Sequence, residues 1–207
     1  MRSEKQSFIF PFKIENKIIN NNSRINSPKV FWLTGLSGSG KTSLGIELRK
    51  ILDKKNIPSV FLDGDNLRDT INSDLGFSDN DRKENIRRTG ELTKILYDLG
   101  LTVIVATISP FVSSRDKVRS IFKVGHFFEI FLDCDIKECK RRDPKNLYKL
   151  SSAGLIKEFT GYDSKYEKPK NSELIIDTNF NSISQSKEIL SSFANHVFVD
   201  INVPELH

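Results

Sequence analysis

The sequence predicts an α/β fold, a five-stranded parallel sheet with helices on both faces and a lid. Three observations predict it. From Lys29 onward, short apolar runs alternate with stretches of helical spacing. A Gly-rich phosphate-loop pattern separates the first such run from the first helix. Gly35, Asp63, Ser109 and Asp133 all fall at predicted strand ends. Alternating strands and helices give a parallel sheet covered on both faces. Ligands of such sheets bind beyond the carboxyl ends of the strands, so these positions predict one site on one rim.

The elements follow in order. Val30-Phe31-Trp32-Leu33-Thr34 is an apolar run bounded by Gly35, a buried strand. Leu44, Leu48, Ile51 and Leu52 recur at helical spacing and predict a helix over 41–55. Val60-Phe61-Leu62 is the second strand and ends in Asp63-Gly64-Asp65. A helix is predicted over 81–99, with Ile86, Ile95, Leu96 and Leu99 inward. Residues 101–108 form the third strand, 113–122 a short helix and 127–132 the fourth strand. A basic helix over 135–142 leads into a polar stretch, 143–170, read as a mobile lid. Leu174-Ile175-Ile176 is the fifth strand, and 184–195 the last helix. Residues 1–28, rich in Asn, Ile, Lys and Ser, read as a partly ordered extension of a domain spanning 29–207.

Composition narrows the function classes. The chain has 207 residues, 37% hydrophobic and 29% charged, a globular balance. No apolar run approaches the ~20 residues of a membrane helix, and no secretory signal is read at the N-terminus. Cys134 and Cys139 match neither a zinc knuckle nor a C-x-x-C pair, which favours two reduced thiols in a cytoplasmic protein. The net charge of +5 suits an anionic small molecule or a Lys-rich surface. Neither an aromatic-basic RNA motif nor a helix-turn-helix pattern is present, so no nucleic-acid partner is expected.

Gly35-Leu36-Ser37-Gly38-Ser39-Gly40-Lys41-Thr42 carries the strongest chemistry. Its glycines let backbone N–H groups turn toward an anion, and the following helix adds its positive end. Lys41 suits the β- and γ-phosphates of ATP, and the Thr42 hydroxyl suits Mg²⁺. Asp63 and Asp65 offer carboxylates to metal-bound water or to a substrate hydroxyl; the alternative is a turn of solvated acids. Between Asp65 and Glu91 lie Arg68, Arg82, Lys83, Arg87 and Arg88, either a hydrated helix face or forks for phosphate or sulfate. Phe77 lies in the same stretch and suits stacking on a base. Ser109 either contacts ligand or caps a turn, and Arg142, Lys145 and Lys149 either close over phosphates or stay hydrated.

Taken together, these segments resemble adenylylsulfate kinase. The resemblance rests on residues 32–41, Leu62-Asp63-Gly64-Asp65-Asn66-Leu67-Arg68, Leu75-Gly76-Phe77-Ser78 and Asp81-Arg82-Lys83-Glu84-Asn85-Ile86-Arg87-Arg88. It continues through Ile108-Ser109-Pro110-Phe111, Arg142-Asp143-Pro144-Lys145 and Lys157-Glu158-Phe159-Thr160-Gly161. It implies a P-loop kinase fold, often dimeric, that phosphorylates the ribose 3′-hydroxyl of adenylyl sulfate with ATP and Mg²⁺. By position it implies that Arg68, Arg82 and Asn85 hold the sulfate–phosphate end. Phe77 and Phe159 would sandwich the adenine, and Ile108, Ser109 and Lys157 would complete the pocket. Ser109 matches the family's phosphoserine position, whereas Asp63 is the candidate that orients or deprotonates the hydroxyl, with Mg²⁺ reached through water. The chain departs from the family at Val112 (generally Arg), Asn146 (usually Gly) and Lys165 (usually Pro). Two alternatives stay open: a kinase of another anionic small molecule, and a non-catalytic nucleotide-binding regulator.

Overall fold

The computed structural model describes residues 27–155, 159–162 and 164–199. Its strands are β1 (Val30–Thr34), β2 (Ser59–Asp63), β3 (Thr102–Ala106), β4 (Phe127–Asp133) and β5 (Leu174–Asp177). They form one sheet in the order β2-β3-β1-β4-β5, with every neighbouring pair parallel. The helices are α1 (Lys41–Lys54), α2 (Gly64–Asp69), α3 (Asp79–Asp98), α4 (Val112–Ser120), α5 (Ile136–Arg142), α6 (Leu147–Ser152) and α7 (Ile183–Val199).

All five residues of β1 are buried, which explains an unbroken apolar run where a half-exposed strand would alternate. Successive side chains still point to opposite faces. Phe31 and Leu33 pack with Leu44, Leu48 and Leu52 of α1 and with Leu190 and Ala194 of α7. Val30 and Trp32 join the other core, with Ile86 and Tyr97 of α3 and Val118 of α4. Each of the α1 leucines contributes roughly 1.5–3 kcal/mol by leaving water.

α3 corrects one expectation. Ile95 and Leu99 are exposed (59% and 72%), not inward. The buried stripe is Arg82, Asn85, Ile86, Thr89, Gly90, Thr93 and Tyr97, which keeps helical spacing, and the two aliphatics lie off it. Ser78 caps the helix by accepting the Asp81 N–H. Two short helices were not expected. α2 starts because the Asp63 carboxylate accepts the Asp65 N–H. α6 breaks the proposed lid, and the Asp143 carboxylate takes the N–H groups of Tyr148 and Lys149 at its start. Asn146, at φ 56°, adopts the left-handed conformation that favours Gly and that Asn tolerates best among other residues. That accounts for Asn standing where the family usually has Gly.

Candidate active site

The rim of the sheet carries a cleft of ≈ 1280 Å³ that straddles central β1. From the β4–β5 side come Arg142, Thr178 and Asn181. From the β2–β3 side come Asp63, Arg68, Phe77, Arg82, Asn85 and the Ile108–Ser109 turn. Ser37 to Thr42 run between them, and Phe159 reaches in from the lid. Asp65 and Lys145 line the same cleft, whereas Lys149 does not. Gly35 and Leu36 are not among its lining residues; a Cβ on Gly35 would sit 2.7 Å from the Leu132 carbonyl oxygen. Lys157 lies outside the described residues, as do residues 1–26 of the predicted extension.

The phosphate loop is shaped for an anion. Gly40, at φ 98°, turns the chain into α1 and leaves the helix N-terminus facing the cleft. Ser39 is fully buried, and its hydroxyl has no partner among the described residues. Tyr148 donates its hydroxyl hydrogen to Ser37 O at 3.0 Å, tying α6 to the loop. Lys41 Nζ donates to the carbonyls of Gly35 (2.9 Å) and Leu36 (2.7 Å). Its pKa is pushed down to about 8, chiefly by burial and also by Lys145, against the opposing pull of Cys139 and Asp63. Arg142 Nε donates to Glu138 at 2.8 Å, and the same guanidinium reaches the carbonyls of Gly38 and Thr178. Arg141 and Arg142 hold the Glu138 carboxyl at about 2.

Asp63 sits beside the loop. Its Oδ2 accepts from Thr42 Oγ1 at 2.8 Å, and its Oδ1 accepts the Asp65 N–H at 2.9 Å. Thr42 spends its only hydrogen on the carboxylate, so its oxygen lone pairs remain for a cation. That pair of oxygen donors, the Thr42 hydroxyl and the Asp63 carboxylate, suits a hard divalent cation. Across the cleft, Lys145 pairs with Asp65.

The second half of the cleft combines cations with rings. The Arg68 and Arg82 guanidinium carbons lie 4.6 and 5.7 Å from the Phe77 ring centroid. Arg68 donates to Gly76 O at 2.9 Å, and burial lowers its pKa. Arg82 Nε donates to Phe77 O at 2.8 Å, and its NH1 bonds the Thr160 hydroxyl. Asn72 Nδ2 donates to Asn85 Oδ1 at 2.8 Å. Phe77 is half exposed, whereas Phe159 is buried edge-on against Tyr148. Arg87 and Arg88 instead pair with Glu84, and Arg88 also with Asp74; neither arginine lines the cleft.

Ser109, the position that the resemblance marks as phosphoserine, is held inside a buried hydrogen-bond relay. It lies beyond the end of β3 at φ 41° and is 1% exposed. Its Oγ accepts from Trp32 Nε1 at 3.1 Å and donates to Thr34 Oγ1 at 2.9 Å. Thr34 donates in turn to Ile108 O at 2.7 Å, so Tyr166 OH, 3.0 Å away, is the donor in its contact with Thr34. Neither partner of Ser109 is a base, so nothing activates it as a nucleophile. Sequence reading missed this buried relay, and Thr178 and Asn181 as well. An indole and a hydroxyl within an apolar strand were the available signal, because buried polar atoms need partners.

The profile of the adenylylsulphate kinase family matches residues 27–177. The chain belongs to that family. It is 51% identical to the adenylyl-sulfate kinase of Geotalea uraniireducens over 73% of each chain. It is 49% identical to that of Staphylococcus carnosus over 77% of this chain and 80% of the relative. Among solved structures, the Mycobacterium tuberculosis APS kinase CysC in complex with AMPPNP and APS superposes with a TM-score of 0.73 at 40% identity. That match covers 84% of this chain and 96% of the other. As a member of the adenylylsulphate kinase family, the protein is an ATP-dependent phosphotransferase. No helix among the described residues is long and apolar enough to cross a membrane.

Proposed function

We propose that this chain transfers the γ-phosphate of ATP to the ribose 3′-hydroxyl of adenylyl sulfate, giving 3′-phosphoadenylyl sulfate and ADP. One observation carries the reading: a single cleft joins a phosphate loop to a second pocket of arginines and rings, with Asp63 between them. The loop 35–42 holds the ATP phosphates through its N–H groups, and Lys41 turns from its own loop carbonyls to the β- and γ-oxygens. Arg142, with Thr178 and Asn181, borders the donor nucleoside. Mg²⁺ supplies charge neutralisation at the phosphates when bound, held by Thr42 and, through water, by Asp63. Arg68, Arg82 and Asn85 take the sulfate–phosphate end of the acceptor. Phe77 and Phe159 flank its adenine, and the Ile108–Ser109 backbone and Asp65 close the pocket. Asp63 orients the 3′-hydroxyl and accepts its proton as the oxygen attacks phosphorus in line with the departing ADP. The reading includes a homodimer and a cytoplasmic setting, the latter in keeping with the free Cys134 and Cys139 thiols.

A coupled ADP-release assay tests it. The parent enzyme turns over with adenylyl sulfate, and Asp63→Asn lowers kcat by roughly 10²- to 10⁴-fold, as loss of a general base does. A higher kcat/KM for another nucleotide or a sugar would replace the acceptor. Tight binding without turnover would make the chain a non-catalytic nucleotide binder.

A further inference from the structure

Arg115 lies on α4 and is 2% exposed. Its NH1 donates to Ser109 O at 2.6 Å, and its NH2 donates to Glu167 O at 2.8 Å. Its Nε lies 2.6 Å from Glu129 Oε1 of β4, a close ion pair whose N–H is not aimed for a directed hydrogen bond. Glu167 returns the contact twice. Its N–H donates to Pro110 O at 2.8 Å, and its Oε2 accepts the Val112 N–H at 2.8 Å, at the start of α4. Tyr166 beside it stacks on Phe131 and holds Thr34, the partner of Ser109. The segment leaving the lid is thus joined to the turn that lines the cleft, and one planar fork meets a carbonyl from each. A lysine offers a point charge and cannot span both. A non-Gly residue at positive φ persists only when its surroundings over-determine it, and for Ser109 Arg115 and Trp32 do so.

We propose that Arg115 is a positioning residue for the acceptor nucleotide: it holds the Ile108–Ser109 backbone in its cleft-facing shape and locks the lid's return segment Tyr166–Glu167 to it. The inference rests on the adenylyl sulfate reading. It also explains Val112, where the family generally has Arg. At that position the backbone N–H, not the side chain, carries the contact to Glu167.

Two variants test it. Arg115→Lys keeps the charge beside Glu129, and Arg115→Met with Glu129→Gln removes the buried pair together, a change that such pairs often tolerate. In both, KM for adenylyl sulfate rises about tenfold, what the loss of one hydrogen bond to a charged group costs, while KM for ATP stays within about twofold. Emission of Trp32, the single tryptophan, shifts as Ser109 is released. Tryptic cleavage between Lys149 and Lys165 accelerates as the lid loses its anchor. A merely structural arginine would lower the melting temperature and the active fraction without separating the two KM values. Folded variants with both KM values unchanged, or moved together, overturn the inference. If the parent does not phosphorylate adenylyl sulfate, the functional reading fails separately. Unchanged Trp32 emission and lid proteolysis then overturn the Arg115 clamp on their own.

Discussion

Lys41 carries a pH dependence that separates function from stability. Burial lowers its pKa from the ordinary 10.5 to about 8. The unfolded chain therefore binds more protons at Lys41 between about pH 8 and pH 10.5, so this residue's contribution to stability rises with pH across that window. Phosphate binding runs the other way, because only the ammonium attracts the β- and γ-oxygens. In steady-state assays from about pH 6.5 to 9.5, kcat/KM for ATP reports the free enzyme and falls above about 8. kcat persists to higher pH, since bound phosphates raise the lysine's pKa. A kcat/KM flat through that range would remove Lys41 from the donor site. Ser109 shows the opposite residue-scale lesson. Its place in the family motif pointed to chemistry, yet its hydroxyl is shared between an indole and a threonine.

At the scale of elements, the packing of α3 on α4 positions Arg82 and Asn85 toward the cleft and Arg115 beneath it. The two helices meet at Gly90, where an added Cβ would lie 2.7 Å from Val118 Cγ2 and 3.2 Å from Cγ1. Gly90→Ala gains about 1 kcal/mol of helix propensity but overpacks this contact, which costs about 1–3 kcal/mol. The net expectation is a loss of up to about 2 kcal/mol in urea denaturation, and the cost of Gly90→Ala shrinks when it is introduced into a Val118→Ala background. A Gly90→Ala single variant no less stable than its parent would mean that α4 shifts freely. The proposed lid has its own anchors at the scale of elements. The stretch 143–170, read as a mobile lid, holds α6, tied through Tyr148 to the phosphate loop, and near its end carries Glu167, joined to the turn before α4. Neither anchor is visible in a polar sequence, because each partner lies far away in the chain.

At the scale of the molecule, the strand order β2-β3-β1-β4-β5 sets the two half-sites on opposite sides of β1. The proposed homodimer belongs to this scale. Light scattering at working concentration should give twice 23.6 kDa, and a mass of one chain would remove the dimer from the reading. The parallel sheet, the phosphate loop and the Asp63 turn were legible in the sequence because each rests on local chemistry. An apolar run bounded by glycine, a helix stripe and a Gly-rich turn need few distant partners. The inward face of α3 was not legible, because its buried stripe is mostly polar and its two conspicuous aliphatics face out. The sequence by itself determined the fold class and the Gly-rich phosphate-loop pattern at 35–42. Only the tertiary structure decided that Ser109 is a strut and that Arg115 fastens it to the lid's return segment. Those roles depend on hydrogen bonds between residues 77 and 52 positions apart, and a buried donor or acceptor shows its purpose only once its partner is in place.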